Sequence, residues 1–95
     1  MFRQSVGIDP AEPRRGQDVS LIYQGILYQN GADNVWLHYG FDNWSKVSTI
    51  GMQRRTDGFH CQIKADGRND MSFCFKDSAD HWDNNNGMDW NISIK

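Results

Sequence analysis

Apolar residues in this chain alternate with polar ones in short runs and rarely recur at the i, i+3, i+4, i+7 spacing of an amphipathic helix. Gly, Asn, Asp and Pro clusters separate the runs, as between strands of a small all-β domain. The pattern predicts strands at Ser5 to Ile8, Val19 to Tyr23, Ile26 to Gln29, Val35 to Gly40 and Val47 to Arg54. It adds a hairpin of Phe59 to Lys64 with Met71 to Lys76 about the turn Ala65 to Asp70, and a last strand at Trp90 to Ile94. A bulge is expected at Gly25, and long loops at Asp9 to Gln17 and Asp77 to Asp89. This predicts an immunoglobulin-like antiparallel β-sandwich of about seven to nine strands, with no helix longer than about one turn.

Side chains alternate faces along a strand, so parity sorts core from surface. In Val35 to Tyr39, Val35, Leu37 and Tyr39 share the aliphatic face, and Trp36 and His38 project together from the other. In the expected hairpin Cys61 joins Phe59 and Ile63 on the apolar face, whereas Cys74 lies opposite Phe73 and Phe75. The two cysteines then point to opposite sides of a sheet, and no disulfide is expected. Cys61 reads as a small buried hydrophobe. The histidines and cysteines have no metal-ligand spacing.

Composition narrows the function. The 95 residues make one domain, 1–95, with 4 Trp, 3 Tyr and 5 Phe. Ten Lys and Arg against 12 Asp and Glu give a net charge of −2, which argues against a general nucleic-acid binder. No apolar run has the length of a membrane span, so no membrane partner is expected, nor is any cofactor. The start of the chain shows no signal-peptide stretch. A cytoplasmic setting is therefore expected for a complete chain, and an extracellular one for a module excised from a secreted enzyme.

Two segments concentrate the candidate chemistry. Val35 to Ser45 and Asp80 to Trp90 together hold all four tryptophans, His38 and His81, and Asn43, Asn84, Asn85 and Asn86. Trp44 and Trp82 fall in polar loops, which run over protein surfaces. An exposed indole matches the C–H face of a pyranose ring. Asn amides and imidazoles match its hydroxyls, which both donate and accept. The plainer readings stand beside this one. Trp36 and Trp44 also fit core or edge positions, Trp90 reads as core, and His60 and His81 as surface residues. The Asn run also fits turn chemistry, since Asn tolerates left-handed backbone. The loop fails the EF-hand pattern, because Trp82 occupies the position before Gly87 that needs an acidic residue. A cation site of another kind, using Asp77, Asp80, Asp83 or Asp89, stays open.

Leu37-His38-Tyr39-Gly40 with Asn43-Trp44, Phe73-Cys74-Phe75-Lys76-Asp77, and Trp82-Asp83-Asn84-Asn85-Asn86-Gly87 with Asp89-Trp90 resemble the carbohydrate-binding modules of families 25 and 53. The resemblance covers about Gly16 to Ile94. It implies a β-sandwich that binds α-1,4-glucan (starch, glycogen or maltooligosaccharides) without catalysis, through His38, Trp44 and Trp82, with Trp36 beside them. Asn84 and Asn85 are added as hydrogen-bonding candidates. It also implies a module attached to a glucan-metabolising enzyme or acting beside one. Catalysis by the chain itself is not expected, because glycoside hydrolysis needs two carboxyl groups about 5–9.5 Å apart. The only Glu, Glu12, lies in a Pro-rich loop. The alternative function is a protein-interaction sandwich that uses the Trp patch for docking.

Overall fold

The computed structural model describes residues 2, 3 and 5–95, with side chains from Ser5 onward. Ten short strands and one helical turn follow in the order β1 (Phe2–Arg3), β2 (Val6–Asp9), β3 (Asp18–Tyr23), α1 (Ile26–Gln29), β4 (Val35–Phe41), β5 (Lys46–Gly51), β6 (Gln53–Arg55), β7 (Gly58–Lys64), β8 (Asp70–Asp77), β9 (Trp82–Asp83) and β10 (Trp90–Ser93). All strand pairs are antiparallel. One sheet has the order β1-β2-β3-β7-β6, and the other β10-β8-β4-β5, with β9 on β8 beside β10. This is the expected β-sandwich.

The core lies between the sheets and follows the alternation of the sequence. The first sheet contributes Val6, Ile8, Val19, Leu21, Tyr23, Phe59 and Ile63, and the second Val35, Leu37, Phe41, Met71, Phe73, Phe75, Trp90 and Ile92. Trp90 is core, 6% exposed, and packs on Phe73 and Phe75 at ring separations of 6.1 and 5.3 Å. Its Nε1 has no hydrogen-bond partner among the described residues, so packing alone holds it there.

Three local expectations are corrected. Ile26–Gln29 is the helical turn α1, not a strand, and Gly25 is its N-cap rather than a bulge. The Tyr23 ring crosses Gly25 so closely that a Cβ would meet it at 2.5 Å. The chain therefore folds around that ring and buries Leu27. Val47 to Arg54 is two strands, because the chain passes from one sheet to the other at buried Met52. Phe59 to Lys64 and Met71 to Lys76 do not form a hairpin. β7 and β8 belong to different sheets, and the segment between them crosses the end of the sandwich, where Gly67 lies against Phe41. A crossing and a hairpin leave the same alternation in the sequence.

Both cysteines are free. The separation arises because they lie in different sheets, not through hairpin parity. Cys61 packs against the core on the inner face, and Cys74 pairs with His38 on the outer face of the other sheet. Burial pushes the Cys61 thiol up to about 12. Burial, with the nearby Asp89 and Asp83 carboxylates, pushes Cys74 up to about 11. Neither is a poised thiolate at neutral pH.

Trp90→Ala should destabilise the fold by about 3–5 kcal/mol in urea unfolding, as for a large core truncation. Trp90→Phe should cost far less, since no hydrogen bond is lost.

Candidate functional site

The site is built on the outer face of β4. Antiparallel partners share a face, so the register defines three rows there. Trp36 lies between Gly51 and Lys76, His38 between Thr49 and Cys74, and Gly40 between Val47 and Ser72. The His38 ring is oriented by its Nδ1, which lies 2.7 Å from the Thr49 Oγ1.

Trp44 reaches this face from the β4–β5 turn. Asp42, Asn43 and Trp44 have φ of 54, 62 and 63°, three successive left-handed residues closed by a Ser45 N–H to Phe41 carbonyl bond of 3.0 Å. Left-handed backbone costs about 1–2 kcal/mol per L-residue. The Asp42 carboxylate offsets part of this strain by accepting N–H bonds from Arg68 at 3.0 Å and Asn69 at 2.7 Å. Those N–H groups, Arg68 first, hold its carboxyl below the usual carboxylate range. The turn lays the Trp44 indole flat over Gly40, where a Cβ would come within 2.5 Å of the ring. Trp44 is thus half-buried rather than fully exposed, and stacks on His38 at 5.6 Å and 24°.

Trp82 arrives from the other side. β9 pairs with the end of β8, with Trp82 opposite Lys76 and Asp83 opposite Phe75. Trp82 therefore faces outward, 49% exposed, and meets the His38 ring edge-on at 5.5 Å and 85°. Asp83 turns inward, where the Tyr23 hydroxyl donates to its Oδ2 at 2.6 Å. Tyr23 belongs to the opposite sheet and stacks on Phe75 at 4.1 Å. Burial, reinforced by the Asp83 bond, raises its hydroxyl pKa and keeps it a donor. The loop carrying Trp82 is thereby tied through the core to the far sheet.

The asparagines serve the same loop. Asn84 Oδ1 accepts the Gly87 N–H at 2.9 Å, and Asn85 Nδ2 donates to the Asp89 carbonyl at 3.1 Å. Asn85 and Asn86 are left-handed, at φ 56 and 59°. Trp36 and Trp82 flank Lys76 on either side, and its ammonium sits 5.6 Å from both indoles and 3.1 Å from Asp80. The Asp77 carboxylate accepts N–H bonds from Ala79 and His81, and its Oδ2 lies 3.0 Å from the His81 ring. Burial opposes its ionisation, but these partners outweigh it and lower its pKa. Among the described residues no three His, Cys, Asp or Glu side chains converge as a metal site requires.

His38, Trp44, Trp82 and Trp36 thus come together on one face. Asn84 and Asn85 lie in the adjoining loop with their amides engaged in closing it. Lys76, Thr49 and Tyr23 are participants that sequence reasoning missed. Strand parity places Lys76 on the face of Cys74, but no sequence signal links Tyr23 to Asp83.

A profile for a starch/carbohydrate-binding module, family 53, matches residues 19–73. The chain belongs to that family. The module is also 31% identical over 91 residues to an alpha-amylase of Clostridium acetobutylicum, a match that covers 93% of this chain and 11% of the amylase. It therefore spans about a tenth of that relative's length. No solved structure matches it.

Two tests follow from the loop anchors. Tyr23→Phe strands the Asp83 carboxylate and should cost about 1–3 kcal/mol in urea unfolding. Asp42 and Asp77 bind protons more weakly in the folded state than in the unfolded one. Their stabilisation is complete above the unfolded value near pH 4 and is lost as pH falls through the depressed folded values. Melting temperature should therefore fall below about pH 4, and Asp42→Asn should flatten that fall.

Proposed function

We propose that the module binds α-1,4-glucan without catalysis, by stacking glucose rings on Trp44 and Trp82 across a floor of His38 and Trp36. The observation that carries this reading is the pair of indoles fixed at a steep mutual angle by one imidazole, nearly parallel to the first and perpendicular to the second. An α-1,4 linkage turns each ring relative to the last, so a curved chain offers inclined C–H faces to inclined platforms. A β-1,4 chain is a flat ribbon and fits coplanar aromatics instead. With Nδ1 directed at Thr49, the His38 Nε2 is the ring atom left for a sugar hydroxyl. Membership of a starch/carbohydrate-binding family supports the ligand class, and the amylase relative supports action alongside a glucan-processing enzyme. Asn84 and Asn85 contribute chiefly by shaping the Trp82 loop.

A non-catalytic role agrees with the carboxylates. Glu12 lies in a loop and pairs with Lys95 at 3.7 Å, while Asp42, Asp77 and Asp83 are engaged in holding loops.

Covering roughly 100 Å² of each indole corresponds to about 2–3 kcal/mol gross. Ordering a flexible chain on an open face offsets much of it, so dissociation constants of about 10 μM to 1 mM are expected. In calorimetric titration with maltoheptaose, Trp44→Ala and Trp82→Ala should each weaken binding about tenfold or more. His38→Ala should cost about 1–2 kcal/mol. Cellulose oligomers should give no heat. Unchanged maltoheptaose affinity in both tryptophan variants would overturn this reading.

A further inference from the structure

Trp82 has a second neighbourhood. Between α1 and the β8–β9 turn lies a cavity of about 460 Å³, lined by Ile26, Asn30, Gly31, Ala79, His81 and Trp82, among others. Its volume is within the roughly 300–1,000 Å³ of small-molecule sites. Its walls are largely apolar, and Ile26 is 55% exposed, a branched aliphatic left in solvent beside an exposed indole. At its rim are an amide, Asn30, and the His81 imidazole, whose Nδ1 is directed at Asp77. Apolar walls with a few polar groups that both donate and accept suit a sugar ring as well as the Trp44–Trp82 face does.

Position identifies the occupant. β9 is the edge of its sheet at this end of β8, and α1 lies beyond it. The Trp82 indole is therefore a ridge between the outer face of β4 and this cavity. A glucan chain stacked on Trp82 that continues past its outer edge enters the cavity next. We propose that the cavity is an extension subsite, which receives the next glucose units of the same α-glucan chain against Ile26, within hydrogen-bonding reach of Asn30 and His81. The proposal rests on the platform reading above and adds a chain-length preference, because short oligosaccharides fill the platform alone and longer ones fill both.

The test compares maltotriose with maltoheptaose by calorimetry on the intact chain. Wild type should bind maltoheptaose more tightly. Ile26→Ser and His81→Ala alter exposed side chains, and each should lower maltoheptaose affinity about three- to tenfold while maltotriose affinity stays within about twofold. Backbone amides of Gly31 and Ala79 should shift in NMR titrations with maltoheptaose and stay fixed with maltotriose. Equal affinities of wild type for the two sugars, or unchanged maltoheptaose affinity in both variants, would overturn the subsite and leave the platform standing. Equal weakening of both sugars would also overturn it, by showing that Ile26 and His81 act only through Trp82. Failure of wild type to bind either sugar would remove the platform and the subsite together.

Discussion

The in-register pairing of β4 with β8 is the constraint on which the rest of this molecule depends. Seven consecutive residue pairs, from Val35 with Asp77 to Phe41 with Met71, run through the middle of the second sheet. Because alternate residues face opposite ways, one ladder supplies two surfaces. Its inner side carries Val35, Leu37, Phe41, Met71, Phe73 and Phe75 into the core. Its outer side carries Trp36, His38, Gly40, Lys76 and Cys74. A slip of one residue would exchange these sets, putting aliphatics in water and an imidazole and an ammonium in the core. Core burial thus sets the register, and the register sets the outer face.

The aromatic face needs more than a flat sheet, and the two loops that complete it solve the same problem in parallel. Each must lift an indole out of the local chain path and hold it still. The first does so with a run of left-handed residues, 42–44, whereas the second sets Trp82 by pairing β9 with β8 and then turns back through left-handed residues 85–87. Asn, Asp and Gly tolerate that backbone, whereas Trp44 occupies it at a cost. The stabilisation comes from elsewhere: Asp42 gathers N–H groups from the β7–β8 connection, and Asp83 takes the Tyr23 hydroxyl from the opposite sheet. Binding energy realised on such a face is not spent on ordering side chains at the moment of contact.

Lys76 gives the face a charged centre. Its ammonium sits between the Trp36 and Trp82 indoles and is neutralised by Asp80. The register sets Lys76 between the strands that carry the two rings, so both indoles meet the same cation.

The amino-acid sequence by itself determined the fold class, the inner faces of the strands, the outward pairing of Trp36 with His38 and the core role of Trp90. All of these follow from local periodicity, which alternation makes readable over a few residues. It also placed Trp44 in a surface turn, since Asn, Asp and Gly runs have their own backbone chemistry. Trp82, expected in the loop Asp77 to Asp89, lies instead in the short strand β9, because pairing with β8 is a long-range choice. What it could not carry was partnership at long range. Whether Phe59 to Lys64 pairs with Met71 to Lys76 or lies in the other sheet leaves no mark on either segment, because both arrangements need the same alternation. Ile26 to Gln29 reads as a strand until the Tyr23 ring is placed across Gly25. The Tyr23–Asp83 bond joins residues 60 positions apart, and the stacking of Trp44 on His38 depends on a ring lying over Gly40. Only the packed sheets bring these groups within van der Waals and hydrogen-bond range, so only the tertiary structure decides them.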